Sequence, residues 1–348
     1  MDERDPVQRR DDGSLDLYDI TRWEPRSTLD RIAVALYRGG LFVARLVVVL
    51  TALLILVALV ALGSLGAILT DPAIGALALL SAIPAFLLAG YVYVADVTES
   101  EPLGLLVATF LLGVLFAGFA GVVNSYFGPN LRALGLVGFV VFFYLVVAPV
   151  EETVKWLAVR LYAFRSESFN AVVDGAVYGA MAGLGFATIE NALYISQQVQ
   201  GAPQATVGLF GLVGLGNIIG VGGQITAFRA LAGPGHVIYA AFSGYYLGLA
   251  KFNPDRAGPI VVKGLLVAAL IHATYNTLVS VVPAVVLAFV PGLGQLTVFL
   301  AFVLVYDGLF GYVLVRKLAR YRRAYRQVHA AEERDEGDFA VAETEFDP

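Results

Sequence analysis

The chain has 348 residues, 58% of them hydrophobic, with a mean hydropathy of +0.76, values that mark a polytopic membrane protein. Its lack of cysteine excludes disulfides, thiolate metal ligands and a cysteine nucleophile. The net charge of −5 is gathered into the two ends and a few short loops, so chemistry within the apolar part must come from carboxylates, His, Lys, Ser, Thr or Tyr.

In chain order, residues 1–38 form a polar segment that is too long and too acidic for the n-region of a signal peptide. The next apolar run is too long for an h-region and reads as a retained anchor. Membrane spans are predicted at residues 42–69, 74–95, 104–127, 134–161, 171–198, 235–252, 259–289 and 295–316, eight in all. Runs longer than roughly 18–20 apolar residues favour helices, because barrel strands would alternate polar and apolar positions. The expected fold class is therefore an all-α polytopic membrane protein.

Arg and Lys precede the first span and recur at Arg160 and Arg165, at Lys251, Arg256 and Lys263, and in the stretch RKLARYRRAYR. With eight spans these sites share one side, and the positive-inside rule makes both termini cytoplasmic. The Gly-rich stretch 205–231 is expected to be a non-spanning element packed against the other helices, since a further full span would put the basic tail outside. The domain plan is a polar N-terminal segment (1–38), a membrane domain (39–318) and a basic then acidic tail (319–348) whose composition predicts disorder. No internal repeat of the transporter type is visible.

Polar groups inside the spans carry the functional reading. Glu151 and Glu152 lie in the fourth span, where a carboxylate costs about 2.5–3.5 kcal/mol to insert. Lys155 stands one turn from both and would hold one of them ionised while leaving the other free. In the fifth span Gly175, Gly179 and Gly183 form a flat packing face, and Glu190 requires a partner from another helix. His236 is read at the start of the sixth span, a position that alone is more often structural. His272 and Asn276, four apart in the seventh span, point toward one place, while Asp307 in the last span has no assigned partner. Together these groups suit the activation of water by a carboxylate or His, with or without a metal bound through O and N atoms. The same groups would also serve a proton relay.

The motifs EETVK (151–155), FATIEN (186–191), GHVIYAAFSGYYLG (from 235) and HATYN (272–276), together with YVYVADVTESEPLG (91–104), resemble the PrsW family of intramembrane proteases. That family belongs to the superfamily of the CAAX prenyl endopeptidases. The resemblance runs from about residue 80 to 315. It implies a multi-pass cell-membrane peptidase that cleaves membrane-associated proteins, an anti-sigma factor in some bacterial members. It carries the paired-glutamate motif onto Glu151 and Glu152, the Phe-x-x-x-Glu motif onto Glu190 and the histidine motifs onto His236 and His272. Asn276 departs from the Asp often found in PrsW-like sequences and favours an oxyanion donor there. His-Glu-x-x-His, rhomboid and presenilin signatures are absent from the sequence.

The expected catalytic set is Glu151, Glu152, Glu190, His272 and Asn276, supported by Lys155. If a metal takes part, with Zn2+ the ion in view, its expected ligands are Glu190, His236 and His272. The other mechanism left open is a glutamate-activated water with no metal. No nucleotide or redox cofactor and no nucleic acid are expected, only a membrane-protein substrate and the bilayer. The rival reading is a channel or transporter that relays protons or ions through the same Glu and His residues.

Overall fold

The structure, a computed structural model, describes residues 13–14, 16–19, 21, 23–61, 65–98, 100–201 and 218–343, with backbone alone at 67, 69, 201, 218–219 and 329–343. It divides into two units, Met1–Thr51 and Ala52–Pro348. In the first, Ser27 and Asp30 form a reciprocal cap: Ser27 N–H donates to Asp30 Oδ2 at 2.7 Å and Asp30 N–H donates to Ser27 Oγ at 3.1 Å. This cap opens the long helix α1 (Thr28–Ala61).

The second unit holds α2 (Gly66–Thr70), α3 (Pro72–Val94), α4 (Leu103–Arg132), α5 (Gly135–Val141), α6 (Ala148–Leu161), α7 (Val172–Gly201), α8 (Gly223–Lys251), α9 (Ala257–Phe289) and α10 (Gln295–Glu343). Asp71 caps α3 by accepting from Ala73 N–H at 2.9 Å, and Pro72 occupies the first turn, where its missing N–H is harmless. A π-helical turn, Phe142–Val147, joins α5 to α6. Another, Ile218–Gly222, leads into α8. The helix α10 carries on past its apolar segment to Glu343, its last turns in the charged stretch that composition marks as having nothing to bury.

Seven helical segments are long and apolar enough to cross a membrane: α1, α3, α4, the α5–α6 segment, α7, α9 and α10. The protein is thus an all-α multi-pass membrane protein. The apolar window of α7 is 78% buried, against 22–33% for α3, α4, α9 and α10, so α7 is enclosed by protein while the others present most of their surface outward. Its main neighbour is α8, which is too polar to be counted with the seven.

Glycines make the α7–α8 contact. A Cβ added to Gly175 would lie 2.2 Å from the Gly244 carbonyl oxygen, one at Gly179 2.2 Å from that of Ala240 and one at Gly183 2.4 Å from that of His236. Rising positions on α7 meet falling positions on α8, so the helices run antiparallel with their backbones touching. The face expected from Gly175, Gly179 and Gly183 is this contact.

The α8 helix corrects two expectations. His236 lies well inside it rather than at a helix start, because Pro234 is accommodated within the helix instead of breaking it. Packed membrane helices tolerate such prolines, since neighbours satisfy the freed backbone groups. Of the stretch 205–231, residues 218–231 are the π turn and the first nine residues of α8, not a separate element; residues 202–217 lie outside the described residues. Its glycines and apolar residues gave no periodic pattern that would betray a helix.

At one end of the bundle three connections meet. Lys251 Nζ donates to the carbonyls of Phe164 (3.0 Å), Ser166 (3.3 Å) and Phe169 (2.6 Å). Thr98 Oγ1 donates to Asp174 Oδ1 at 3.4 Å, and Tyr178 OH donates to Glu101. Burial pushes the Glu101 carboxyl up to about 8, with Asp174 and Asp96 adding to the rise.

Candidate active site

The π-helical turn and Pro149 stand immediately before the glutamate pair on α6. A π turn inserts an extra residue per turn and re-aims the side chains after it, a device common at functional sites. Here Glu151, Glu152 and Lys155 all turn inward, with relative exposures of 3%, 0% and 1%.

The two glutamates have different surroundings. Glu152 Oε1 accepts from Lys155 Nζ at 2.7 Å and faces His272 Nδ1 at 2.8 Å. Glu151 Oε1 accepts from Asn124 Nδ2 of α4 at 3.0 Å, while its Oε2 has no hydrogen-bond partner among the described residues and lies 3.7 Å from His272 Nε2. A carboxylate only accepts, so the network assigns the His272 proton to Nδ1 and leaves the Nε2 lone pair turned toward Glu151.

A second set of contacts repeats this arrangement. Glu190 on α7 is paired with Arg229 of α8, and its Oε2 lies 2.9 Å from His236 Nε2. Arg229 Nε donates to Asn191 Oδ1 at 2.8 Å, and the guanidinium sits 4.4 Å over the Tyr194 ring. On its other edge His236 Nδ1 lies 2.9 Å from Lys155 Nζ. An ammonium only donates, which puts the His236 proton on Nε2, against Glu190. Each histidine is therefore oriented by a carboxylate, and each carboxylate is held by a cation: Lys155–Glu152–His272 and Arg229–Glu190–His236. Lys155 joins the two halves.

The rings of His236 and His272 meet edge to face at 5.3 Å, and Tyr239 stacks on His272 at 5.1 Å. Tyr239 OH donates to Asp307 Oδ1 at 3.0 Å, which supplies the partner that sequence could not give Asp307. A cavity of about 590 Å³ between α4, α6 and α7 is lined by Asn124, Arg132, Glu151, Phe186, Glu190 and Tyr194, among others.

Of the residues singled out from sequence, Glu151, Glu152, Lys155, Glu190, His236 and His272 come together. Asn276 does not join them directly: it is half-buried one turn beyond His272, and among the described residues no hydrogen bond links its side chain to the cluster. Sequence reasoning missed Asn124, Asn191, Arg229 and Tyr239. Arg229 carried a usable signal, a lone cation in an apolar stretch while Glu190 lacked a partner.

Donor atoms of Glu151, His236 and His272 all lie within 4.8 Å of one another, a group able to hold a metal ion. Two of the three donors are free to ligate, the Glu151 Oε2 and the His272 Nε2 lone pair, and both suit a borderline divalent ion; His236 joins them only by releasing Lys155 from Nδ1 or Glu190 from Nε2.

Comparison with known proteins agrees with this inventory. The profile described as "PrsW family intramembrane metalloprotease" matches residues 101–306. "Protease PrsW" of Shouchella clausii is 28% identical over 213 residues, covering 59% of this chain and 84% of that protein. The proteins of the same name from Bacillus subtilis and Geobacillus kaustophilus are 29% and 31% identical over 199 and 197 residues, covering 57% and 56% of this chain and 79% and 76% of their own lengths. No solved structure matches.

Proposed function

We infer the roles of the buried residues from the premise that the chain belongs to the PrsW family of intramembrane metalloproteases. It is a multi-pass membrane peptidase, and the channel or transporter reading is not favoured. The observation that carries the assignment of roles is the free Glu151 Oε2, 3.7 Å from His272 Nε2 and on the wall of the cavity.

Glu151 is the general base. Its Oε2 takes the proton of the attacking water, while Asn124 holds Oε1 and fixes the carboxylate plane. Glu152 is a positioning residue, engaged by Lys155 and by His272 Nδ1–H. Glu190, clamped by Arg229, does the same for His236. Asn276 serves the carbonyl oxygen of the substrate as a donor, since the N–H groups of His272 and His236 are engaged by Glu152 and Glu190.

In the metal-bound form, for which Zn2+ is the proposed ion, Glu151 Oε2, His272 Nε2 and a His236 nitrogen released from Lys155 or Glu190 would hold the metal, and Glu151 would act as a ligand; its role as base belongs to the form without metal. When bound it supplies Lewis acidity to the peptide carbonyl or the water. Glu190 leaves the ligand set expected from sequence, since its Oε2 is already engaged by Arg229 and His236 Nε2. Lys155 Nζ, beside His236 Nδ1, already holds positive charge at this point.

The substrate is proposed to be a membrane-protein segment, an anti-sigma factor being one such protein, that reaches the cavity between α4, α6 and α7. The test is cleavage of a co-reconstituted single-pass substrate. Glu151→Gln keeps size and hydrogen bonding while removing the base, and should lower the rate by about 10²–10⁴-fold. Cleavage at the wild-type rate by that variant would sink the assignment of Glu151.

A further inference from the structure

Away from the catalytic residues, a second and larger cavity of about 700 Å³ opens between α8, α9 and α10. Its lining is apolar at Phe242 from α8, Val267 and Ile271 from α9, and Phe310 and Val313 from α10. Farther along α10 the lining turns basic, with Arg316, Lys317, Arg320 and Arg323 on the next turns. Among the described residues no acidic residue lines the cavity, and none of these four cations forms an ion pair. Lys317 Nζ is carried by aromatic faces instead, 4.4 Å over Tyr245 and 4.7 Å over Tyr246. Arg316 Nη1 donates to Tyr312 OH at 3.1 Å.

The cavity sits at the end of the bundle where α8 finishes and α9 begins, the end that also holds Lys251 and the connections it binds. Apolar lining followed along α10 by positive charge that no described carboxylate pairs matches a ligand with a hydrocarbon body and an anionic head. Basic pockets between membrane helices recognise phospholipid headgroups in this way. A free phosphate would use the cations and leave the apolar lining without a function.

We propose that this cavity is a binding site for an anionic phospholipid, its phosphate on Arg316, Lys317, Arg320 and Arg323 and its acyl chains along Phe310, Val313 and the facing residues of α8 and α9. The site is independent of the catalytic reading. It touches the catalytic helix α9 at Ile271, whose carbonyl accepts from Tyr306 OH at 2.8 Å and whose neighbour is His272.

The experiment is native mass spectrometry of the full-length protein, titrated with phosphatidylglycerol or with phosphatidylcholine of identical acyl chains. Phosphatidylglycerol should be retained preferentially. Each charge is worth roughly fivefold, so R316Q/R320Q/R323Q should weaken its binding on the order of a hundredfold and bring it to the phosphatidylcholine level. The single variant R320Q, which spares the fold if the triple variant does not, should show the fivefold step. Excess inorganic phosphate should displace the lipid poorly. Equal retention of the two lipids, or binding unmoved by R320Q, overturns the proposal. Displacement by phosphate as effective as by lipid overturns the lipid assignment in favour of a free-anion site.

Discussion

At the residue scale the arrangement separates two neighbouring glutamates that sequence could not tell apart. Glu152 is buried against a cation and an imidazole, whereas Glu151 keeps an oxygen free. Glu152→Ala therefore acts differently from Glu151→Gln, because it leaves Lys155 buried without its carboxylate, a loss of about 3–5 kcal/mol when one partner of a buried pair is removed. The expected result is a thermal midpoint well below wild type for Glu152→Ala and near wild type for Glu151→Gln, read by a thiol-independent unfolding assay in detergent. Metal dependence belongs to the same scale. Chelation should abolish cleavage and added Zn2+ should restore it, while His272→Ala purifies with less metal than wild type by elemental analysis. Wild-type metal content in His272→Ala would remove His272 from the ligand set. The types of most of these residues were legible in the sequence, since a carboxylate or imidazole in an apolar run is costly and stands out. Their pairings were not, because Glu190 and Arg229 lie 39 positions apart and only the antiparallel packing of α7 on α8 brings them together.

At the element scale the glycine contact decides how precisely the site is held. Glu190 and His236 come from the two helices whose backbones touch at Gly179 and Gly183. Gly179→Leu cannot be absorbed by a side-chain adjustment, as its Cβ meets the Ala240 carbonyl, so the helices must separate. Overpacking of this kind costs about 1–3 kcal/mol, and a displacement near 1 Å is enough to lose about 10² in rate. The measured outcome should be a large fall in cleavage with a modest fall in thermal stability. Helix α7 was readable, because its glycines recur every fourth residue within an apolar stretch. The start of α8 was hidden by Gly233, Pro234 and Gly235, which in water would end a helix and here lie inside one.

At the scale of the whole molecule, the apolar runs made the fold class plain, and they made it plain for seven segments. The helix α8 is less apolar than those seven and is enclosed by protein: most of its residues from Gly233 to Ala250 are buried. On the proposed topology, with eight crossings and both termini cytoplasmic, Thr98, Ser168 and Asn253 share a side. The native sequence has no cysteine, so a single cysteine placed at any of these is a unique label. Membrane-impermeant maleimide should reach all three only after the cytoplasmic face is opened. Labelling of Ser168→Cys in intact cells would reverse the orientation.

The polarity of α8 has a bearing on how the protein is made. A segment carrying Arg229 and His236 gains little from entering lipid alone, but α6 and α7, with Glu152 and Glu190, are synthesised before it. Glu190 offers a counter-charge to an arriving Arg229, and the glycines of α7 offer a groove that receives the α8 backbone. Removing that counter-charge by Glu190→Ala should leave a fraction of chains with Asn253→Cys labelled from the wrong side, a defect of biogenesis rather than of catalysis. On the proposed roles, insertion of α8 and assembly of the buried charges would be one event.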